Sequence, residues 1–379
     1  MIERYIPRMY SGDYRYIWQR PDWAFWRYDL SALAELLGRV HRAQGRLRGR
    51  MDDYGLGLQD QASLRILTED VLKTSEIEGE QLNPDAVRSS IARRIGVEIG
   101  ALAPPDRAVE GVVDMILDAT QSYAEPLSKE RLFGWHAALF PLPYSGLTQI
   151  RVGAWRDDNK GPMQVVSGPI GRQRVHFEAP AADRLAEEIE NFLNWFNGPP
   201  SGDPILMAGI SHLWFVTLHP FDDGNGRIAR AIGDMALART EQSAQRFYSL
   251  SSQIQRERRN YYYQLEAAQK GDMDVTPWLT WFLECLLRAV DNAETVLSSV
   301  LTKAKFWQQW SGLVLNARQI TMLNRLLDGF EGKLTNKKWA AITKCSADTA
   351  LRDVTDLLER GVLIKLGSGG RSTSYDLKH

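Results

Sequence analysis

The sequence predicts a mainly α-helical protein with one β-hairpin set into its helical body and a small C-terminal winged helix-turn-helix domain. Three observations predict this. Apolar residues recur at helical spacing through most of the 379 residues. One glycine-punctuated stretch, 151–180, breaks that period with two β-prone runs. Beyond about Gly312 the pattern becomes helix, helix–turn–helix, strand, glycine-rich turn and strand, which is the order of a winged helix.

The elements follow in order. DLSALAELLGRVHRAQGRL opens at Asp29 as N-cap, with Leu30, Leu33, Leu37 and Val40 on one face. A second helix covers about 60–79 and ends near Gly79. Further helical patterns cover roughly 105–123, 128–139, 181–197, 204–218, 226–240, 253–269 and 276–308. The one at 204 begins with Asp203 as cap and Pro204 at its first position. Gln164–Ser167 and Arg174–Phe177, joined by GPIGRQ, form the hairpin. The expected domains are an N-terminal helical region at 1–100, a main domain at 101–312 that includes the 151–180 hairpin, and a winged-helix domain at 313–379.

Composition bounds the class. With 44% hydrophobic and 25% charged residues, the chain has the balance of a folded protein. A net charge of −1 gives no overall pull towards nucleic acid or anionic membrane, so any such patch is local. The only cysteines, Cys285 and Cys345, lie far apart; they fit a reducing compartment and give no disulfide framework or cysteine metal site. The opening residues hold no apolar run of signal-peptide kind. The longest apolar stretches, ILMAGISHLWFVTL and WLTWFLECLLRAV, fall short of a membrane span. The expectation is a cytoplasmic protein with no membrane contact.

Residues 219–230 read HPFDDGNGRIAR and carry the densest chemistry of the chain. An apolar helix ends at Leu218, which puts His219 at its exit. Gly224 and Gly226 allow a close backbone approach that a Cβ would forbid. A helix starting near Asn225 aims free N–H groups into the loop, and helix N-termini of this kind bind phosphate. Arg227 and Arg230 lie three apart on one helix face and suit a di- or triphosphate. Asp223 offers a carboxylate oxygen to Mg2+ shared with substrate phosphates. His219 is the candidate base beside them. The spacing predicts a loop that binds a phosphorylated ligand.

These twelve residues resemble the Fic signature, H-x-F-x-D/E-G-N-G-R-x-x-R, at every fixed position. Fic proteins mostly transfer AMP from ATP to a hydroxyl side chain of a target protein. The resemblance implies a Fic-type helical core in which His219 deprotonates a Ser, Thr or Tyr hydroxyl, Phe221 anchors the loop and Asp223 holds Mg2+. It implies an anion hole at Gly224, Asn225 and Gly226 with Asn225 on phosphate, Arg227 on the β-phosphate and Arg230 on the γ-phosphate. A branch of the family that transfers phosphate departs from the glycine-rich loop, so retention of GNGR favours nucleotide transfer. Relatives contact the adenosine where this chain has Asn260, Tyr262 and Tyr263. The hairpin, with Gly153, Trp155, Arg156 and MQVVSG, stands where the family carries a flap along which target backbone aligns by strand addition. A hairpin that only covers the core is the other reading.

TSEIEG at 74–79 fits the family's inhibitory pattern, S/T-x-x-x-E-G/N, through Thr74, Glu78 and Gly79. Thr74 and Glu78 are i and i+4, on one helix face. The resemblance implies an inhibitory helix at about 60–79 whose Glu78 pairs with Arg230 and takes the γ-phosphate's place. In some relatives this glutamate instead positions a water that removes AMP, so a de-AMPylase or a bifunctional switch is an alternative.

The flanks carry further readings. Trp18, Trp23 and Trp26, beside Arg15, Arg20 and Arg27, either stack nucleobases or seal a small domain against its neighbour, as such clusters usually do. His212 packs along the helix that leads to His219. The winged helix offers Lys337, Lys338, Lys344, Arg352 and Arg371 to a DNA backbone, while its recognition helix SADTALRDVTDLLER carries Asp348, Asp353, Asp356 and Glu359. DNA binding and protein docking both stay open. A nucleotide-sensing, DNA-binding regulator is the reading of a different class. The partners implied are Mg·ATP, a target protein on the flap, and DNA or protein at the winged helix, with self-association also open.

Overall fold

A computed structural model describes residues 14–53, 56–98, 104, 107–169, 171–327, 330, 332–366 and 373–378. In chain order it holds a 3-10 turn (Ile17–Gln19), then α1 (Leu30–Asp52), α2 (Leu56–Ile77), α3 (Pro84–Ile95), α4 (Arg107–Gln121) and α5 (Lys129–Leu139). The strands β1 (Tyr144–Ser145), β2 (Thr148–Gln149), β3 (Gln164–Ser167) and β4 (Arg174–Glu178) follow. Next come α6 (Leu185–Asn197), α7 (Pro204–Leu218), α8 (Asn225–Glu241), α9 (Leu250–Arg256), α10 (Arg258–Gln269) and α11 (Thr276–Gln309). The chain closes with α12 (Ala317–Leu327), α13 (Asn336–Thr343), α14 (Ala347–Glu359), β5 (Leu363–Leu366) and β6 (Ser374–Leu377). Two units emerge: 1–55 with 59–293, and 56–58 with 294–379. Among the described residues no helix is long and apolar enough to cross a membrane.

The first unit is built around α7 and α8, which pack along each other with α4 against α8 and α6 against α7. Every residue of α7 from Ile205 to Leu218 except Met207 is buried, as expected of a helix that is apolar all round. Asp203 caps it by accepting from Ile205 N at 2.9 Å. Glycine permits two close crossings. A Cβ at Gly111 would meet Ala138 O of α5 at 1.8 Å, and one at Gly209 would meet Leu279 Cδ2 of α11 at 2.9 Å. Asp29 caps α1 as expected, through Ser31 N and Ala32 N. Leu33, Leu37 and Val40 are buried, while Leu30, assigned to the same face, is exposed at the helix start.

Two elements differ from the periodicity reading. α3 was not anticipated, although Asn83 caps it, Pro84 opens it and a left-handed Gly96 ends it. Its buried face sets Val87 and Ile91 among Ala86, Ser89, Ser90 and Ala92, too few large apolar residues to register as an apolar stripe. The helix expected over 253–269 breaks at Glu257 (φ −108, ψ 20), whose carboxylate takes Arg288 Nε and Nη2 at 2.7 Å each.

β3 and β4 pair antiparallel with a register shift between Val165 and Val166. Phe177 on β4 is buried against Tyr16, edge to face at 5.2 Å, and His176 Nδ1 lies 2.7 Å from Glu266 Oε2 of α10. β3 is largely exposed. The N-terminal tryptophans act as a seal. Trp18 Nε1 donates to Glu178 O and Trp23 Nε1 to Glu188 Oε2, both at 2.7 Å, and Trp26 lies 5.5 Å from Trp214.

The second unit gathers Met322, Leu323, Leu334, Trp339, Ala350, Val354, Leu357, Val362, Leu363, Tyr375 and Leu377 into its own core, with β5 and β6 antiparallel. Asp353, one of the acids noted on the recognition helix, is buried on α14. It accepts from Asn316 Nδ2 at 2.9 Å and from Arg318 Nε at 2.7 Å. Asp356 accepts from Gln319 Nε2 and Arg360 Nε, both at 2.7 Å. Arg371 and the glycine-rich turn at 367–370 lie outside the described residues.

Candidate active site

His219 ends α7 in the left-handed conformation (φ 47, ψ 54), rare for a residue with a side chain. Its Nδ1 is 3.1 Å from Val216 O; a carbonyl only accepts, so Nδ1 carries the proton and Nε2 is the basic nitrogen of the neutral ring. Burial holds the imidazole below the ordinary histidine value. The hydrogen bond to Val216 and the charges of Asp223 and Glu78 oppose this, and Arg156 adds to it.

The loop after His219 is held from within. Phe221 is fully buried and stacks on His136 at 4.2 Å, with Trp155 at 5.0 Å. Asn225 Oδ1 accepts from Phe221 N at 2.9 Å and its Nδ2 donates to Phe221 O at 2.8 Å. The Asn225 side-chain amide thus ties the loop to itself. Gly224 (φ 80) precedes α8, and a Cβ there would meet Phe140 Cε2 at 2.8 Å. The first-turn N–H groups of α8 have no intrahelical acceptor. Asp223 Oδ1 accepts from Gly224 N at 2.6 Å and its Oδ2 from the Ser145 hydroxyl, while Asp222 Oδ2 accepts from Arg151 N at 2.8 Å.

Two arginines complete the pocket, and α2 answers both. Arg230 Nε donates to Thr74 Oγ1 at 2.8 Å, and its Nη2 donates to Thr74 O at 2.9 Å and Glu78 Oε1 at 2.7 Å. A Cβ on Gly226 would fall 2.3 Å from Glu78 Oε1, so this carboxylate stands directly over the helix start. Arg227 Nη1 donates to Glu80 Oε2 at 2.6 Å, and its guanidinium lies 5.1 Å from the Phe140 ring. Gly79 (φ 88) makes this geometry. Glu80 N donates to Ser75 O and Gly79 N to Glu76 O, each at 3.0 Å, a Schellman turn that ends α2 and swings Glu80 onto Arg227. Arg227 Nε and Arg230 Nη1 remain buried without a hydrogen-bond partner.

The structure therefore brings together His219, Phe221, Asp223, Gly224, Asn225, Gly226, Arg227 and Arg230 with Thr74, Glu78 and Gly79. Of the residues assigned to adenosine, Tyr262 hydroxyl lies 3.3 Å from Ile77 O, beside the end of α2. Asn260 and Tyr263 are exposed on α10. The sequence reading missed Glu80, Ser145 and His136. Glu80 directly follows the matched pattern and was the one with a readable signal, an acid just past a helix-ending glycine. His212 is buried and bonded through Nε2 to Tyr261 hydroxyl at 2.9 Å. Among the described residues no group of three or more His, Cys, Asp or Glu is arranged to hold a metal by itself.

Comparison with known proteins finds likenesses over two segments of the chain. A profile described as "Fic/DOC family" matches residues 126–237, and one described as "Domain of unknown function (DUF4172)" matches 16–97. A Nematostella vectensis protein named "Protein adenylyltransferase Fic" is 32% identical over 114 residues, 30% of this chain and 25% of that protein. One of the same name from Drosophila mojavensis is 29% identical over 132 residues, 34% of this chain and 25% of that protein. The matched segment thus spans about a quarter of these relatives. Among solved structures, a Fic family protein from Desulfovibrio desulfuricans G20 has a TM-score of 0.51 at 20% identity, over 92% of this chain and 96% of that one. A Fic domain containing signaling protein from Bacteroides thetaiotaomicron VPI-5482 has a TM-score of 0.50 at 17% identity, over 69% and 98%. These two likenesses concern fold. Residues 126–237, which hold the intact loop from His219 to Arg230, are therefore a Fic/DOC domain within this chain.

Proposed function

We propose that this chain is a protein adenylyltransferase that moves AMP from ATP to a hydroxyl side chain of a target protein and is restrained by its own α2. One observation carries the reading. Two buried guanidinium donors, Arg227 Nε and Arg230 Nη1, are unpartnered at the open N-terminus of α8, next to a histidine whose Nε2 is basic. The names of the relatives support it.

In this mechanism His219 Nε2 takes the proton of the incoming hydroxyl. The hydroxyl oxygen bonds to the α-phosphorus, the bond from that phosphorus to the bridging oxygen breaks, and pyrophosphate leaves. The α8 N–H groups and both arginines hold the phosphates in line, so catalysis is mainly positioning and charge stabilisation. The donors present fit Mg2+: a single carboxylate, Asp223, beside a phosphate-binding turn is how Mg2+ is usually held together with substrate phosphates. When bound, Mg2+ would supply neutralisation of phosphate charge. The flap offers β3 as a docking edge for target backbone.

Glu78 and Glu80 act as the restraint, each occupying an arginine that triphosphate needs. Glu78 also stands over the helix start, which favours removal of AMP as a second activity of the same site. The test incubates wild type, Glu78→Gly and His219→Ala with α-labelled ATP, Mg2+ and a lysate. Label that strengthens with Glu78→Gly and vanishes with His219→Ala supports transfer under restraint. No protein label from any of them, with ATP still bound, refutes it. Release of AMP from a pre-labelled target by wild type supports the second activity.

A further inference from the structure

We propose that Arg156 is a positioning residue that couples the flap to the catalytic base: one buried guanidinium closes the root of the hairpin and holds the backbone of His219. The proposal rests on the reading of His219 as base.

The left-handed conformation of His219 is unfavourable for an L-residue, so something outside the residue has to hold it. Arg156 Nε donates to His219 O at 2.8 Å, and Arg156 N donates to Pro220 O at 2.9 Å. The same side chain reaches both ends of the flap. Nη1 donates to Asp158 Oδ1 at 2.8 Å, just before β3, and Nη2 donates to Pro180 O, just after β4. Asp158 Oδ2 in turn accepts from Ala182 N at 2.6 Å. The Arg156 side chain is fully enclosed, at 0% exposure, so each of these donors is spent inside the protein. Any displacement of the hairpin base is therefore felt at the carbonyl of the base residue. A displacement of about 1 Å at a reacting group is costly without any change in nucleotide contacts.

The charge adds a signature that a purely structural arginine lacks. Arg156 and burial lower the His219 pKa, while the Val216 carbonyl, Asp223 and Glu78 raise it. Arg156 itself faces Asp158 and Asp222. Removing its charge should raise the His219 pKa, and with it the acid limb of the pH–rate profile.

The test compares Arg156→Gln and Arg156→Lys in the full chain, with and without Glu78→Gly. The readouts are transfer kinetics against pH and the NMR titration of the His219 ring. Gln is expected to lower kcat about 10- to 100-fold with KM for ATP within about twofold, and to move the acid limb to higher pH. Lys, which keeps the charge but not the planar fork, is expected to lower kcat and leave the acid limb in place. Lys also serves if Gln does not fold. A folded variant with wild-type kcat and an unshifted His219 titration overturns the proposal. Transfer that survives His219→Ala overturns the underlying base assignment instead, and the titration separates the two failures because it needs no turnover.

Discussion

Glu80 Oε2 lies 2.6 Å from Arg227 Nη1, two residues beyond the glutamate that holds Arg230. Both arginines assigned to phosphate are thus matched by carboxylates from one helix end. The two pairs are unequal. Arg230 also has both Thr74 contacts, whereas the Glu80 side chain is 48% exposed and its pair is correspondingly screened.

Glu78→Gly is therefore expected to raise label transfer at subsaturating ATP by about 10-fold or more, since a hydrogen bond to a charged group is worth about 1.5–3 kcal/mol. Glu80→Ala should raise it only about 2- to 5-fold, the range of an exposed pair. The double variant should exceed either. Initial rates with α-labelled ATP measure all three.

His219→Ala in the Glu78→Gly background should lose about 100-fold or more in transfer, the usual contribution of a general base. ATP affinity by calorimetry should change little, because no guanidinium or α8 N–H group is removed. In the unsubstituted His219 protein, the depressed imidazole places the acid limb of the rate below the ordinary histidine value.

Gly224→Ala should destabilise the protein by about 1–3 kcal/mol, through left-handed strain and overpacking on Phe140. Thermal unfolding reads this as a lower Tm. Gly79→Ala, which meets no neighbouring atom but has φ 88, should cost less stability and disturb the placement of Glu80.

Stability should fall as pH drops below 6.5. Burial lowers His136 to about 4 and His212 to about 3. A histidine with a depressed folded pKa binds fewer protons folded than unfolded across that window. Its stabilisation is complete above the unfolded value of 6.5 and is lost as pH falls towards the folded one, at about 1.4 kcal/mol per pH unit for each group. Urea melts at successive pH values should show this slope, and His136→Gln or His212→Gln should flatten it.

Much of the site was legible because its chemistry is contiguous. The loop from His219 to Arg230 follows from its spacing, and the pair Thr74 and Glu78 from resemblance to the family's inhibitory pattern, with four residues on a helix being neighbours. What was not legible depended on chain direction after a turn or on distant segments. Glu80 reaches Arg227 only because Gly79 reverses the chain, and Arg156 meets His219 across 63 residues. The run Tyr261, Tyr262, Tyr263 shows the same limit. Spacing cannot tell which tyrosine faces in; packing puts Tyr261 inside on His212 and leaves Tyr263 outside. α3 escaped because only Val87 and Ile91 on its buried face are large and apolar, the rest being serine and alanine. The acids of α14 misled for the opposite reason, because Asp353 is neutralised internally by Arg318 rather than displayed.

The two cysteines are also chemically unlike. Cys285 is buried on α11 with its thiol pushed up by desolvation, whereas Cys345 is only half-buried in the second unit. An alkylating reagent at neutral pH therefore modifies one thiol per folded chain, and the second becomes titratable only when the first unit opens. Thiol counting during unfolding thus follows the first unit separately from the second.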